Sequence, residues 1–213
     1  IKFRESCSTS SIIDKILNIH EANLGQNVES ISYEKKPAIF LDRDGTINKL
    51  IEYLHEEDKF ELVDGVIEAM KVFKQMGYRL IVVTNQPGIG VGYYSKEDLF
   101  KVNKKMLKIL SSEGISIDKI YFCPHSKADN CSCRKPATAM IDRAKAELNI
   151  DMAKSFVVGD SQCDIELAKN AGIKSILVYS GHTKKGESLE VKPDYTAKDL
   201  REASEIIKAS FGI

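Results

Sequence analysis

Five short β-branched runs recur along this chain: Ala38-Ile-Phe-Leu41, Leu80-Ile-Val-Val-Thr84, Ile120-Tyr-Phe122, Ser155-Phe-Val-Val158 and Ser175-Ile-Leu-Val-Tyr179. The runs are apolar at consecutive positions, so a strand built from one of them needs cover on both faces. Helical patterns separate most of them, over about 64–76, 95–112, 137–148, 163–171 and 198–209, each opening near Asp, Ser, Thr or Pro. Strand and helix in alternation predict an α/β fold with a parallel sheet between two helical layers. In such sheets ligands gather beyond the carboxyl ends of the strands, so the residues that directly follow each run are where chemistry is expected.

At 213 residues, the chain suits one α/β domain with a single extension rather than two full domains. With 43% hydrophobic and 29% charged residues it can bury an ordinary core without disulfides. Thirty-one basic residues balance 31 acidic ones, which leaves no overall field to hold a nucleic-acid duplex or an anionic membrane. No apolar run approaches the ~18 residues of a membrane span, and the start lacks the pattern of a secretion signal. A soluble cytoplasmic protein is expected. The chain begins with Ile, not Met, which fits a product that was cut or trimmed. Residues 1–36 differ from the rest and read as an N-terminal helical extension or linker to a domain over 37–213. There Ser11-Ile-Ile-Asp14 has the form of a capping box, opening a helix with Ile13, Ile16, Leu17, His20 and Leu24 on one face and a stop at Gly25. His20 on that stripe reads as a packed side chain, not a ligand.

Four segments carry chemistry. Asp42-Arg43-Asp44-Gly45-Thr46 places two carboxylates two positions apart beside a glycine that permits a sharp turn, although a solvated turn uses the same letters. Thr84-Asn85-Gln86 offers a hydroxyl and a run of backbone N–H groups suited to phosphate oxygens. Arg134-Lys135-Pro136 opens a helix with fixed cations, or with a solvated basic pair. Gly159-Asp160-Ser161-Gln162-Cys163-Asp164 puts carboxylates four apart at the mouth of the next helix, where an N-cap aspartate is the plain alternative. Their coincidence on one predicted edge matches the needs of metal-assisted phosphoryl transfer.

Cys123-x-His125-x₅-Cys131-x-Cys133 is a separate cluster of one imidazole and three thiols. That set suits a closed tetrahedral Zn²⁺ site, whereas a disulfide would leave His125 and the third thiol without a role. With no open position the zinc is structural, stiffening the loop that leads into Arg134 and Lys135.

The order of these motifs resembles the haloacid dehalogenase (HAD) superfamily of phosphatases over roughly residues 37–190. The resemblance implies a HAD-like Rossmannoid three-layer sandwich with a central parallel sheet and a zinc-binding loop insertion. Only about 42 residues separate the first two motifs, so no large cap domain is expected and the site should be open. By the same likeness Asp42 is the nucleophile and Asp44 the acid–base partner. Mg²⁺ is held by the Asp42 carboxylate, the Asp44 backbone carbonyl and the Asp160 carboxylate. Thr84 and Lys135 bind the phosphate oxygens, and Asp164 orients this shell. A receiver domain gathers a similar set, but there the phospho-acceptor follows a later strand than the acidic pair.

The metal loop followed by Cys133-Arg-Lys-Pro136 narrows the similarity to D-glycero-D-manno-heptose-1,7-bisphosphate phosphatases and histidinol-phosphate phosphatases. Asn48, Tyr53-Leu54-His55, Phe60-Glu61-Leu62, Asp64-Gly65 and Thr84-Asn85-Gln86-Pro87-Gly88-Ile89-Gly90 favour the heptose enzymes. The resemblance then implies a small phosphorylated sugar as substrate, contacted by Asn85, Gln86, Arg134, Tyr53, His55 and Ser161, with heptose 1-phosphate as product. It departs at Val91, where the family has arginine, and in the short spacer between His125 and Cys131, which matches the histidinol-phosphate enzymes. A histidinol-phosphate phosphatase, a nucleic-acid 3′-phosphatase and a phospho-binding scaffold with an inactive site are the alternatives, and no basic, aromatic-rich tract supports a nucleic-acid partner. The leading helix either docks on this domain or forms the tail of an upstream sugar-phosphate or sugar-nucleotide enzyme.

Overall fold

A computed structural model describes residues 34–210. The expected helix over 11–25 lies outside them. All five predicted strands form: β1 (Ala38–Leu41), β2 (Arg79–Asn85), β3 (Lys119–Cys123), β4 (Phe156–Gly159) and β5 (Lys174–Val178). A sixth, β6 (Tyr195–Ala197), was not expected. The five predicted helices also form, as α1 (Val66–Gln75), α3 (Lys96–Ser112), α4 (Ala139–Leu148), α5 (Gln162–Ala171) and α6 (Leu200–Ser210). A single turn, α2 (Pro87–Gly90), follows β2. Between β1 and β2 stand only a 3₁₀ turn (Glu57–Lys59) and α1, so no cap domain is inserted there.

Two helices start on reciprocal caps written in the sequence. Ser95 Oγ accepts the Asp98 N–H at 3.1 Å while Asp98 Oδ2 accepts the Ser95 N–H at 3.1 Å, opening α3. Ser161 and Asp164 repeat the arrangement at α5. Each box satisfies two N–H groups that a helix start otherwise leaves open.

The strands pair in the order β3-β2-β1-β4-β5-β6, every pair parallel. Alternate side chains of each strand feed two separate cores. Ile39, Leu41, Leu80, Val82, Val158 and Ile176 face one side, against Phe73 of α1, Met106 of α3 and Ile207 of α6. Phe40, Ile81, Val83 and Val157 face the other, against Ile141 and Leu148 of α4 and Leu167 of α5. Strands apolar on both faces are thereby explained, and removing one such ring, as in Phe73→Ala, would cost roughly 3–5 kcal/mol.

This topology also fixes where a ligand sits. From β1 the chain runs outward to β2 and β3, then crosses back to β4 on β1's other side, so β1 and β4 flank the point where the winding reverses. The Asp42 N–H donates to Val158 O at 3.0 Å, carrying the β1–β4 pairing one residue past the strand end. Asp42 and Asp160 are thus brought together by neighbouring strands.

Candidate active site

A cavity of about 690 Å³ lies at the carboxyl edge of the sheet. Its wall includes Asp42, Asp44, Tyr53, Thr84, Asn85, Gln86, Arg134, Lys135, Asp160 and Ser161. His55 is the one expected substrate contact outside that wall; its ring stacks on Tyr94 instead, 5.6 Å between centroids and 7° from parallel.

The acidic residues fall into two groups. One oxygen each of Asp42, Asp160 and Asp164 lies within 4.8 Å of the others. Lys135, buried itself, donates to Asp42 Oδ1 and Asp164 Oδ1 at 2.6 Å each and to the Val83 carbonyl at 3.0 Å. Burial raises the pKa of Asp42, as do Asp164 and Asp160, while Lys135 opposes the rise. Asp160 is pushed up to about 6 by burial and by Asp164, against the His182 N–H and Lys135. One of its oxygens, Oδ1, is buried with no hydrogen-bond partner, and the other accepts the His182 N–H at 2.5 Å. Gly45 and Gly181 press on this carboxylate so closely that a Cβ at either position would overlap it, and Gly45 also holds a left-handed φ of 89°. Two neighbouring carboxylates, those of Asp42 and Asp160, with one buried oxygen left unsatisfied, fit a Mg²⁺ ion.

Asp44 belongs to the second group. Its Oδ2 accepts from Arg43 Nη2 at 2.8 Å and Gln86 Nε2 at 2.9 Å, and its Oδ1 from Asn48 Nδ2 at 3.0 Å. Gln86 Nε2 also donates to Thr84 Oγ1 at 2.9 Å, which leaves the threonine O–H proton free to point elsewhere. Tyr94, buried, donates to Gln86 Oε1 at 2.6 Å. Arg43 has no exposure at all and reaches Asn103 Oδ1 at 3.2 Å. The sequence reading missed Arg43, Tyr94 and Asn103, and the only signal for Arg43 was its place between two carboxylates directly after a strand.

Asn85 fixes the lysine from behind. Its Oδ1 accepts the Lys135 N–H at 2.9 Å and its Nδ2 donates to the Lys135 carbonyl at 3.3 Å. Upstream of Lys135, the Sγ atoms of Cys123, Cys131 and Cys133 lie 3.2–3.5 Å apart. His125 Nδ1 is 3.6 Å from Cys123 Sγ and 3.3 Å from Cys133 Sγ. None of these cysteines is in a disulfide. Burial opposes ionisation of Cys131, yet hydrogen bonds from Cys123 and from the Arg134 and Cys133 backbone bring its thiol down to about 6. Three sulfurs and one imidazole nitrogen converging on a point suit Zn²⁺ with no position left for substrate.

Fold and site together define a class, the HAD-like hydrolases: residues 132–203 match the family model described as HAD-hydrolase-like. The chain is 42% identical over 184 residues to D-glycero-beta-D-manno-heptose-1,7-bisphosphate 7-phosphatase of Yersinia pestis, covering 82% of this chain and 97% of that protein. It is 40% identical to the D-glycero-alpha-D-manno-heptose-1,7-bisphosphate 7-phosphatase of Campylobacter jejuni, over 72% of this chain and 88% of that one. Among solved structures it is similar to D,D-heptose 1.7-bisphosphate phosphatase from B. bronchiseptica complexed with magnesium and phosphate. That match has a TM-score of 0.75 and 29% identity, over 83% of this chain and 99% of that one. The chain belongs to the family of heptose-1,7-bisphosphate 7-phosphatases.

Proposed function

We propose that this protein removes the 7-phosphate from a D-glycero-D-manno-heptose 1,7-bisphosphate, with Asp42 as nucleophile. The observation that carries the reading is the buried convergence of Asp42, Asp160 and Asp164 around Lys135, beside the wall of a cavity in a chain of this family.

Magnesium would be held by the carboxylates of Asp42 and Asp160 and the Asp44 backbone carbonyl, where it offsets the repulsion between an anionic nucleophile and an anionic phosphate. Asp164 keeps Lys135 and the Ser161 backbone in place beside that shell. A carboxylate oxygen of Asp42 attacks phosphorus in line. The bond from phosphorus to the C7 oxygen breaks, its electron pair stays on that oxygen, and Asp44 supplies the proton. Water then attacks the aspartyl-phosphate, giving its proton to Asp44 and releasing inorganic phosphate with Asp42 restored. Lys135 and the free Thr84 O–H stabilise the charge on the equatorial oxygens, the electrostatic part that dominates phosphoryl transfer. Arg134, beside Lys135 in the cavity wall, meets the remaining charge of the sugar; Asn85, Gln86, Ser161 and Tyr53 complete the contacts. The four-ligand loop holds a structural zinc, and a cytoplasmic location follows from a soluble sugar phosphate as substrate; among the described residues no helix is long and apolar enough to cross a membrane.

The test is phosphate release from heptose 1,7-bisphosphate, histidinol phosphate and a 3′-phosphorylated oligonucleotide, with and without Mg²⁺. The heptose substrate should be preferred and turnover should need the ion. Asp42→Asn should abolish release while leaving fold and zinc content intact. Preference for histidinol phosphate would overturn the substrate, and activity in Asp42→Asn would overturn the nucleophile.

A further inference from the structure

Among the described residues, the large apolar side chains left exposed are Tyr53 at 37%, Val91 at 47% and Tyr93 at 63%. Tyr53 comes from the loop after β1, and Val91 and Tyr93 from the segment that follows α2. The rings of Tyr53 and Tyr93 meet edge to face, 4.8 Å between centroids at 80°, and Tyr53 lines the cavity. The pair is therefore continuous with the site that takes the phosphate.

The rim is built rather than loose. Tyr53 has a φ of 52°, a left-handed conformation that an aromatic residue adopts only where its surroundings impose it. Its carbonyl accepts from His55 Nδ1 at 2.8 Å, the His55 ring stacks on Tyr94, and Tyr94 donates to Gln86 on the cavity wall. Exposure, strain and bracing occur together at the mouth of a cavity. Charge gives the second half of the argument. From Thr84 to Ser95 the chain carries no ionisable acid or base apart from its two tyrosines, whereas Arg134 and Lys135 also belong to the cavity wall. The aromatic rim offers a phosphate no cation, and Glu52 beside Tyr53 in the cavity wall would repel it. The carbon-bound hydrogens of a sugar ring, by contrast, suit the negative face of an aromatic ring.

We infer that Tyr53 and Tyr93 form an aromatic rim that takes the C–H face of the substrate's sugar ring and leaves its charged groups to Arg134 and Lys135. The inference rests on the sugar-phosphate reading given above and adds a residue, Tyr93, that selects for the ring. Tyr93 is exposed, so its substitution should leave the core untouched, whereas Tyr53 also shapes its loop.

The experiment compares wild type, Tyr93→Ala and Tyr93→Phe on heptose 1,7-bisphosphate, mannose 6-phosphate and the ringless glycerol 3-phosphate. Tyr93→Ala should raise KM for the ring substrates about three- to tenfold with kcat within about twofold, the loss being confined to them, and Tyr93→Phe should restore wild-type values. An unchanged KM for ring substrates, or an equal loss on glycerol 3-phosphate, would overturn the rim. If wild type ignores the heptose but hydrolyses mannose 6-phosphate, the heptose reading fails, and the effect of Tyr93→Ala on mannose 6-phosphate still decides the rim. Turnover of glycerol 3-phosphate alone overturns both.

Discussion

A guanidinium enters a protein interior only when its N–H groups find acceptors, because an unpaired buried charge costs several kcal/mol. Arg43 meets that condition with Asp44, Asn103 and Gln86, spending three of its bonds on the neighbouring carboxylate. The geometry matters more than the charge, since Nε and Nη2 both reach Asp44 from one rigid plane. If Asp44 is the acid–base group, its orientation depends on that clamp. Arg43→Lys keeps the charge but loses the fork, and it should lower kcat by about 10²-fold with KM changed little, within the range that acid–base catalysis supplies. A thermal melt distinguishes this from simple unfolding: the lysine variant should remain folded at the assay temperature. Wild-type kcat in a folded Arg43→Lys enzyme would detach Arg43 from the chemistry.

At the scale of elements, the segment from β3 to α4 joins the cysteine–histidine cluster to the buried carboxylates. Cys123 ends β3 fully buried, and ten residues later Cys133 leads into Arg134 and Lys135. A segment so short has no core of its own, so an ion held by four side chains is what can order it. Cys131→Ser removes a partly exposed thiol of the proposed zinc set and should lower zinc content, read by elemental analysis. It should also lower kcat/KM about tenfold or more, because a small displacement of Lys135 from its proposed place at the phosphate weakens the transition state. Full activity without zinc would separate the loop from the site. The same elements show what the sequence made legible. The apolar runs and caps located five strands and five helices, because a strand covered on both faces and a capped amphipathic helix leave strong local patterns. Tyr195-Thr-Ala197 escaped because a three-residue edge strand buries little and reads as loop. Pro87-Gly-Ile-Gly90 escaped because its composition is that of a turn. The carboxylates after β1 and β4 were legible from their positions after strands. The bracing behind Asp44 was not: its neighbour Arg43 is held by Asn103 and its partner Gln86 by Tyr94, contacts that only the folded chain closes.

For the whole molecule, three carboxylates gathered around one lysine at the sheet edge are a burden on stability that a divalent cation bound there would remove. Asp160 shows the sign. With its native pKa raised from 3.8 to about 6, it binds more protons folded than unfolded between those values. Stability without magnesium therefore falls as pH rises through that window, and above it the full cost of burying the ionised carboxylate remains. Burial raises Asp42 in the same direction. Magnesium needs the ionised forms, so its binding should strengthen as pH rises, and whatever binds the native state alone stabilises it. The rise in Tm on adding Mg²⁺ should accordingly be larger at pH 7.5 than at pH 5, where 1 kcal/mol corresponds to about 2–4 °C for a chain of this size. Asp160→Asn should raise Tm in the absence of magnesium, by removing an unpaired buried anion, and should abolish the magnesium-induced rise. A Tm increment independent of pH, or one that survives in Asp160→Asn, would mean that the ion binds elsewhere on the molecule.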